Sequence, residues 1–386
     1  MRFLSPQAAA IALLGSSALA QAASNDTDFV QLVQDKAFAA INEAEPEAVV
    51  KRTSTCTLEN AGVRKNWEHL SGTERKEYIR AVKCLLSSPS KTDPTLNTGT
   101  RVRYDDFAAQ HINQTMSVHV TGNFLGWHRH YIWSYEQALR NECGYTGYLP
   151  YWNWFSNPEN LRESPVFDGS ETSMGSDGLF VPHNGSIGSA GLHIPSGLGG
   201  GCIATGPFAN LSANLGPVQP QQDGIVGVGT AEKLKYNPHC VTRDLSSWLA
   251  GKIYTKDAFL NVTVRETAKD IASFQQELDS QSIGLPGVHA GGHQTISGSN
   301  SDLYSGVVDP AFYLHHTMVD RIFWLWQALH QEQAKTISGT ITFANSPPSR
   351  NATLDDIIEL PYLGVEPATL GSLLDTLDGP YCYVYA

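Results

Sequence analysis

Apolar positions recur at helical spacing in several separated stretches, and these predict most of the regular structure. In residues 71–86, Tyr78, Ala81, Val82 and Leu85 repeat at intervals of three and four, which gives one buried face. Ser71-Gly72-Thr73-Glu74 ahead of them is a capping-box pattern, so a helix is predicted to open there and run to about Leu86. Residues 103–115 and 127–141 also read as helices, and three more are predicted at about 266–280, 286–294 and 310–332. Tyr148 to Phe155 is dense in aromatic residues and ends in a turn at Asn157-Pro158. From Asp168 to Gly229 the chain is rich in Gly, Pro, Ser and Asn with little periodicity, which predicts long ordered loops, tied down through Cys202 and Cys240. The tail from Thr336 reads as short strands and turns ending in the aromatic run Tyr381 to Tyr385. With no internal repeat and no linker, the pattern predicts one mostly helical domain.

Composition changes this picture in two ways. A 386-residue chain with 41% apolar and 17% charged residues is globular rather than disordered. Its formal charge of −12 leaves no basic surplus to neutralise phosphates, which disfavours a nucleic-acid partner and suits a neutral or cationic small substrate. Arg2, the apolar run Ala8 to Leu19 and the small residues of Ala18-Leu19-Ala20 or Ala20-Gln21-Ala22 predict a signal peptide over residues 1–22. No later run is long and apolar enough to anchor the chain in a membrane, so secretion is expected.

Other features agree with a secretory route. The six cysteines (Cys56, Cys84, Cys143, Cys202, Cys240, Cys382) contain no Cys-x-x-Cys pair, and in an oxidising compartment they form up to three disulfides. Sequence alone leaves fifteen pairings open. Glycosylation sequons occur at Asn25, Asn113, Asn184, Asn210, Asn261 and Asn351. The dibasic pair Lys51-Arg52 follows an acidic, helix-prone stretch, Asp26 to Glu47, so residues 23–52 read as a propeptide and Thr53 as the mature start.

Candidate chemistry lies in the 13 histidines, which cluster twice. His111, His119 and His128 fall within one run; His289 and His293 form H-A-G-G-H, with His316 in D-P-A-F-Y-L-H-H-T-M-V-D-R. Positions i and i+4 share a helix face, so His289 and His293 can point at one ion. His316 sits among Phe312, Leu314, Met318, Ile322 and Phe323, where a neutral imidazole needs a polar or metal partner. Asp320, one turn further on, is placed to hold a ligand imidazole in its required tautomer. Three neutral nitrogen donors per ion suit copper cycling between Cu(I) and Cu(II), and carboxylate-rich sites suit Mg, Ca or Mn. Zinc also accepts three histidines with an open position, and spacing does not separate the two metals.

The stretch 111–128, with F-L-G-W-H-R at its end, resembles the copper A region of the tyrosinase, catechol oxidase and hemocyanin family, which commonly has F-L-P-W-H-R. The stretch 289–320, with D-P-x-F-x-x-H-H-x-x-x-D, resembles its copper B region. Tyr151-Trp152-Asn153-Trp154, the opening from Cys56 to Leu85 and the closing Tyr383-x-Tyr385 are also similar, so the likeness runs from Cys56 to the C-terminus. It implies a mainly α helical bundle whose four core helices carry a dicopper centre, with His111, His119 and His128 on copper A and His289, His293 and His316 on copper B. His315 matches the family's non-ligand neighbour. His130 faces away from His128, and His69, His183, His193, His239 and His330 lie outside both clusters. Trp152 and Trp154 are expected to pack rather than touch substrate.

The implied reaction is oxidation of o-diphenols to o-quinones by O2. Hydroxylation of monophenols, as in a full tyrosinase, is thought to need a water held by an Asn after the first copper B ligand and a nearby Glu. Here that neighbour is Ala290, which can hold no water, so diphenol oxidation is expected to dominate with hydroxylation slow or restricted; the residue after the second ligand is Gln294, and the sequence does not place the nearby acids Glu277 and Asp279. Ser117 stands where many fungal members have the cysteine of a thioether to the second copper A ligand, which predicts a freer His119. Leu303 falls at the position that lines the entrance above copper B. The chain runs about 70 residues beyond His316, so no plugging C-terminal domain is expected, as in a shorter fungal branch. Two other classes compete: a hemocyanin-like O2 carrier, and a zinc hydrolase or metal-free binding module.

Overall fold

The apolar run at 311–328 becomes the axis of the molecule. Every residue from Ala311 to Ala328 is buried, because a helix without a polar face packs only at the centre of a core. The computed structural model describes residues 28–96, 99–281 and 284–386; the predicted signal stretch and Asn25 lie outside them. Among the described residues stand nine helices: α1 (Asp28–Lys51), α2 (Gly72–Leu85), α3 (Arg103–Val118), α4 (Phe124–Cys143), α5 (Ser247–Ile253), α6 (Lys256–Thr263), α7 (Ile271–Asp279), α8 (Val288–Ile296) and α9 (Ala311–Leu329). Helix α9 packs against α1, α4, α6 and α8, and α4 also packs against α2 and α3.

The predicted helices form with small shifts. Ser71 and Glu74 make the capping box, the Ser71 N–H donating to Glu74 Oε2 at 2.7 Å and the Glu74 N–H to Ser71 Oγ at 3.3 Å. The predicted helix at 266–280 divides, because Asp270 Oδ1 accepts from the Ser273 N–H at 2.8 Å and starts α7 there. Helices α5 and α6 were not predicted. They are seven and eight residues long, shorter than the window over which helical periodicity shows, and Ser246 and Thr255 cap them through their hydroxyls.

Strands are short and serve as clasps. They are β1 (Gly62–Arg64), β2 (Gly178–Phe180), β3 (Ser186–Ile187), β4 (His193–Ile194), β5 (Gly200–Ile203), β6 (Ser212–Ala213), β7 (His239–Cys240), β8 (Ile357–Leu360), β9 (Val365–Thr369) and β10 (Tyr383–Tyr385). Most fasten the long loops and the tail as antiparallel pairs. The parallel pair β1–β10, with Gly62 opposite Tyr383 and Arg64 opposite Tyr385, joins the two ends of the domain. The disulfide Cys56–Cys382 seals the same junction, Cys84–Cys143 links the ends of α2 and α4, and Cys202–Cys240 ties the loop region as expected.

Asp320 belongs to this junction, which corrects its expected role beside His316. Its carboxylate accepts from Arg129 Nε at 2.6 Å, Arg64 Nη1 at 3.2 Å and the hydroxyls of Tyr383 and Tyr385. Two buried guanidinium groups bind a carboxylate far more strongly than a neutral imidazole N–H does. Those charges hold the Asp320 carboxyl below its ordinary range against the upward push of burial. Glu136 pairs with Arg64 at 3.1 Å and completes the cluster.

Helix α1 is part of this core. Phe29, Val30, Val33 and Ala37 are buried on one face, and Gln34 joins Tyr385 O at 2.8 Å to Arg321 at 2.7 Å. The dibasic pair closes the helix with the Arg52 side chain only 5% exposed, its guanidinium held by Glu45 and by Cys56 O at 3.2 Å. The Thr53 N–H donates to Asp378 Oδ1 at 2.9 Å. A protease must draw the target arginine out as extended chain, so we expect the folded protein to resist a dibasic-specific protease, with mass spectrometry finding no new terminus at Thr53. Rapid cleavage that leaves the rest intact would show that α1 detaches.

Candidate metal centre

The first trio sits where α3 gives way to α4. His111 lies on α3, His119 terminates it, and His128 is in the first half of α4. Each Nδ1 meets a main-chain carbonyl: His111 with Tyr304 O at 2.7 Å, His119 with Thr115 O at 2.9 Å and His128 with Phe124 O at 2.9 Å. A carbonyl only accepts, so each ring carries its proton on Nδ1 and presents the Nε2 lone pair. The Nε2 atoms of His111 and His128 are buried without a hydrogen-bond partner, and one ring nitrogen from each histidine lies within 4.8 Å of the others. Ser117 is exposed and bonds to Gln114 O. The carbonyl of Thr115 thus tethers His119, which is less free than the missing cysteine suggested.

The second trio is built on α8 and α9. His289 Nδ1 lies 2.6 Å from Asp279 Oδ1, and His293 Nδ1 lies 2.9 Å from Asn300 Oδ1. His293 Nε2 is 3.3 Å from His289 Nε2 and 3.0 Å from His316 Nε2. The two glycines of H-A-G-G-H explain how the helices come this close. A Cβ on Gly292 would fall 2.0 Å from the His315 ring, and one on Gly291 would fall 2.3 Å from Ile253 Cδ1. His315 completes a four-histidine group by distance, but both its nitrogens are engaged: Nε2 with His289 O at 3.0 Å, and Nδ1 as acceptor from Trp154 Nε1 at 3.1 Å. It therefore stays outside the donor set, with the buried Trp154 as its hydrogen-bond donor.

The trios share a wall. His128 stacks on His316 with ring centroids 4.7 Å apart, and His316 stacks on Phe312 at 4.1 Å. Phe124 touches both His128 and His289 at 4.8 Å. Burial among these rings pushes His111 down to about 3 and His119 to about 4, and holds His128, His293 and His316 well below the usual imidazole range. These five rings stay neutral at physiological pH. The buried Nε2 lone pairs of His111 and His128, left without a hydrogen-bond partner, fit a metal cation, and the all-imidazole donor set suits copper.

The remaining predicted positions are spread more widely. Ala290 is half-buried beside His289. Gln294 is buried with its amide turned to Ser189 Oγ at 2.6 Å, and Leu303 is half-buried against the core. Asn113, Asn184, Asn210 and Asn351 are exposed, and Asn261 is half-buried. His130 packs on Trp133 away from both trios. Asn300 and the Tyr304 carbonyl had no signal in the sequence, because an asparagine and a loop carbonyl are common everywhere; Asp279 was one of two acidic candidates.

Two outcomes follow from this geometry. Gly292→Ala should lower the stability of the copper-free chain by roughly 1–3 kcal/mol, since overpacking forces α8 and α9 apart, as denaturant unfolding would measure. The unfolded chain takes up protons at these imidazoles near pH 6.5, while folded His111 and His119 resist until about 3 and about 4. The unfolded state then binds more protons, so stability falls as pH drops through that window. Calorimetry of the copper-free chain should show this fall, and H111N/H119N should make it shallower, the other buried imidazoles keeping the remainder.

The comparisons with known proteins agree. The family model "Common central domain of tyrosinase" matches residues 101–329. "Tyrosinase-like protein orsC" of Emericella nidulans is 39% identical over 310 residues, 76% of this chain and 82% of that protein. "Tyrosinase P" of Aspergillus terreus is 38% identical over 84% of this chain and 91% of its own length. "N-acetyl-6-hydroxytryptophan oxidase ivoB" of Emericella nidulans is 36% identical over 86% of this chain and 93% of its own length. Among solved structures, a mutant polyphenol oxidase from Thermothelomyces thermophila superposes with a TM-score of 0.85 at 34% identity, covering 94% of this chain and 99% of that one. With its helical core and paired imidazole trios, this chain belongs to the tyrosinase family and is a copper oxidoreductase.

Proposed function

We propose that the chain holds copper A on His111, His119 and His128 and copper B on His289, His293 and His316, and oxidises o-diphenols to o-quinones with O2. The observation that carries this reading is the pair of imidazole trios meeting where His128 stacks on His316. When bound, the copper pair supplies the redox chemistry, passing electrons from the phenol to O2; two catechols and one O2 give two o-quinones and two waters. The chain's own part is positional. Main-chain carbonyls hold three Nδ1 protons and so keep Nε2 free, while Phe124 and Phe312 line the rings and exclude water. A methyl group at Ala290 cannot hold a water for phenol deprotonation, which supports diphenols as the main substrates.

A second reading is a tyrosinase that also acts on monophenols. It draws on the relative named for N-acetyl-6-hydroxytryptophan, a ring with one hydroxyl. Secretion after removal of residues 1–22, with glycans on the exposed sequons, completes the proposal; three disulfides support an oxidising compartment. The test is O2 uptake by the copper-loaded chain on a catechol and its matching monophenol. Fast uptake on the catechol with a lag or silence on the monophenol is expected; equal rates would favour the second reading. Reversible O2 binding without turnover would overturn both.

A further inference from the structure

The two trios are held by different chemistry. All three copper A candidates give their Nδ1 protons to main-chain carbonyls. In the other trio, His289 faces the Asp279 carboxylate, His293 faces the Asn300 amide, and His316 Nδ1 is buried without a hydrogen-bond partner. Thus, among the described residues, only His289 of the six has a carboxylate bonded behind it.

Resting on the dicopper reading above, we propose that Asp279 is a positioning residue for the copper B trio. It locks His289 as the Nδ1–H tautomer with Nε2 turned toward His293, and strengthens its donation to the metal. The 2.6 Å separation is that of a charge-assisted bond, and a carboxylate behind a ligand imidazole raises the basicity of the opposite nitrogen. The backbone of Asp279 contributes as well. It ends α7, and its carbonyl accepts from the Gly287 N–H at 3.0 Å, the residue that precedes α8. Ser280 bridges to Pro286 across the same turn. One residue therefore fixes both the start of α8 and the ring of its first candidate ligand. Phe124 and His315 flank that ring, with centroids 4.8 Å and 5.8 Å away, and leave the carboxylate as the anchor for its rotation. The Asp279 side chain is 29% exposed, so replacing it opens no core cavity.

The test separates the sites. In full chains carrying H111A only the B trio is complete, and in chains carrying H293A only the A trio is. Copper retention against a competing chelator is measured by metal analysis in each, with D279A and D279N added. With H111A, D279A should weaken retention about 10–100-fold, the range for lost partners behind metal ligands, and D279N should weaken it less because it keeps an acceptor oxygen. With H293A neither should matter. In the copper-free chain, 15N spectra should show His289 leaving the Nδ1–H tautomer in D279A and keeping it in D279N. Equal losses in both backgrounds, or an unchanged tautomer in D279A, would overturn the positioning role. If neither background holds copper while the tautomer responds as expected, the two-site reading fails and the anchoring of His289 stands.

Discussion

Imidazole in a dry interior is the constraint on which this molecule is built. A buried ring with two nitrogens must satisfy one as a donor and give the other something to bind. Five of the six candidate ligands meet the first demand through a carbonyl, a carboxylate or an amide oxygen. The unmet Nε2 atoms then gather in pairs and trios, with separations down to 3.0 Å. Charging these rings by protonation is costly when they are packed among Phe124, Phe312 and one another. A bound cation is the economical way to bring such lone pairs together, and the family assigns that cation as copper.

Holding two trios in register takes a rigid frame, supplied by a buried ionic cluster further along α4 and α9. Asp320, Glu136, Arg64 and Arg129 are all buried, and their partners come from both ends of the domain. Removing one partner from such a cluster strands a buried charge, which typically costs about 3–5 kcal/mol. His128 and Arg129 are neighbours on α4, as His316 and Asp320 are one turn apart on α9. The cluster therefore fixes the rotation of both helices about their axes, and with it the direction of both imidazoles.

The departures from the family pattern sit on the side of the site where substrate chemistry would be decided. Ala290 offers no polar group next to His289, and Gln294 is committed to Ser189 on the loop hairpin.

The main helices and the two histidine clusters were legible because both signals are local. Periodicity placed α2, α3, α4, α8 and α9, the i, i+4 pair placed His289 and His293 on one face, and the two motif runs named the family. Asp320 was misread for a long-range reason: its fate depended on Arg64, 256 residues away in sequence, whose charge outbids an imidazole N–H. Asp279 and Asn300 took roles that no spacing announces, and the disulfide pairing was open until the two ends of the domain met at β1 and β10. The sequence by itself determined the main helices, the two histidine clusters and the class of chemistry. Tertiary structure alone decided which oxygen holds each imidazole, since competition among charged and neutral acceptors is settled only when distant segments are brought within hydrogen-bonding distance.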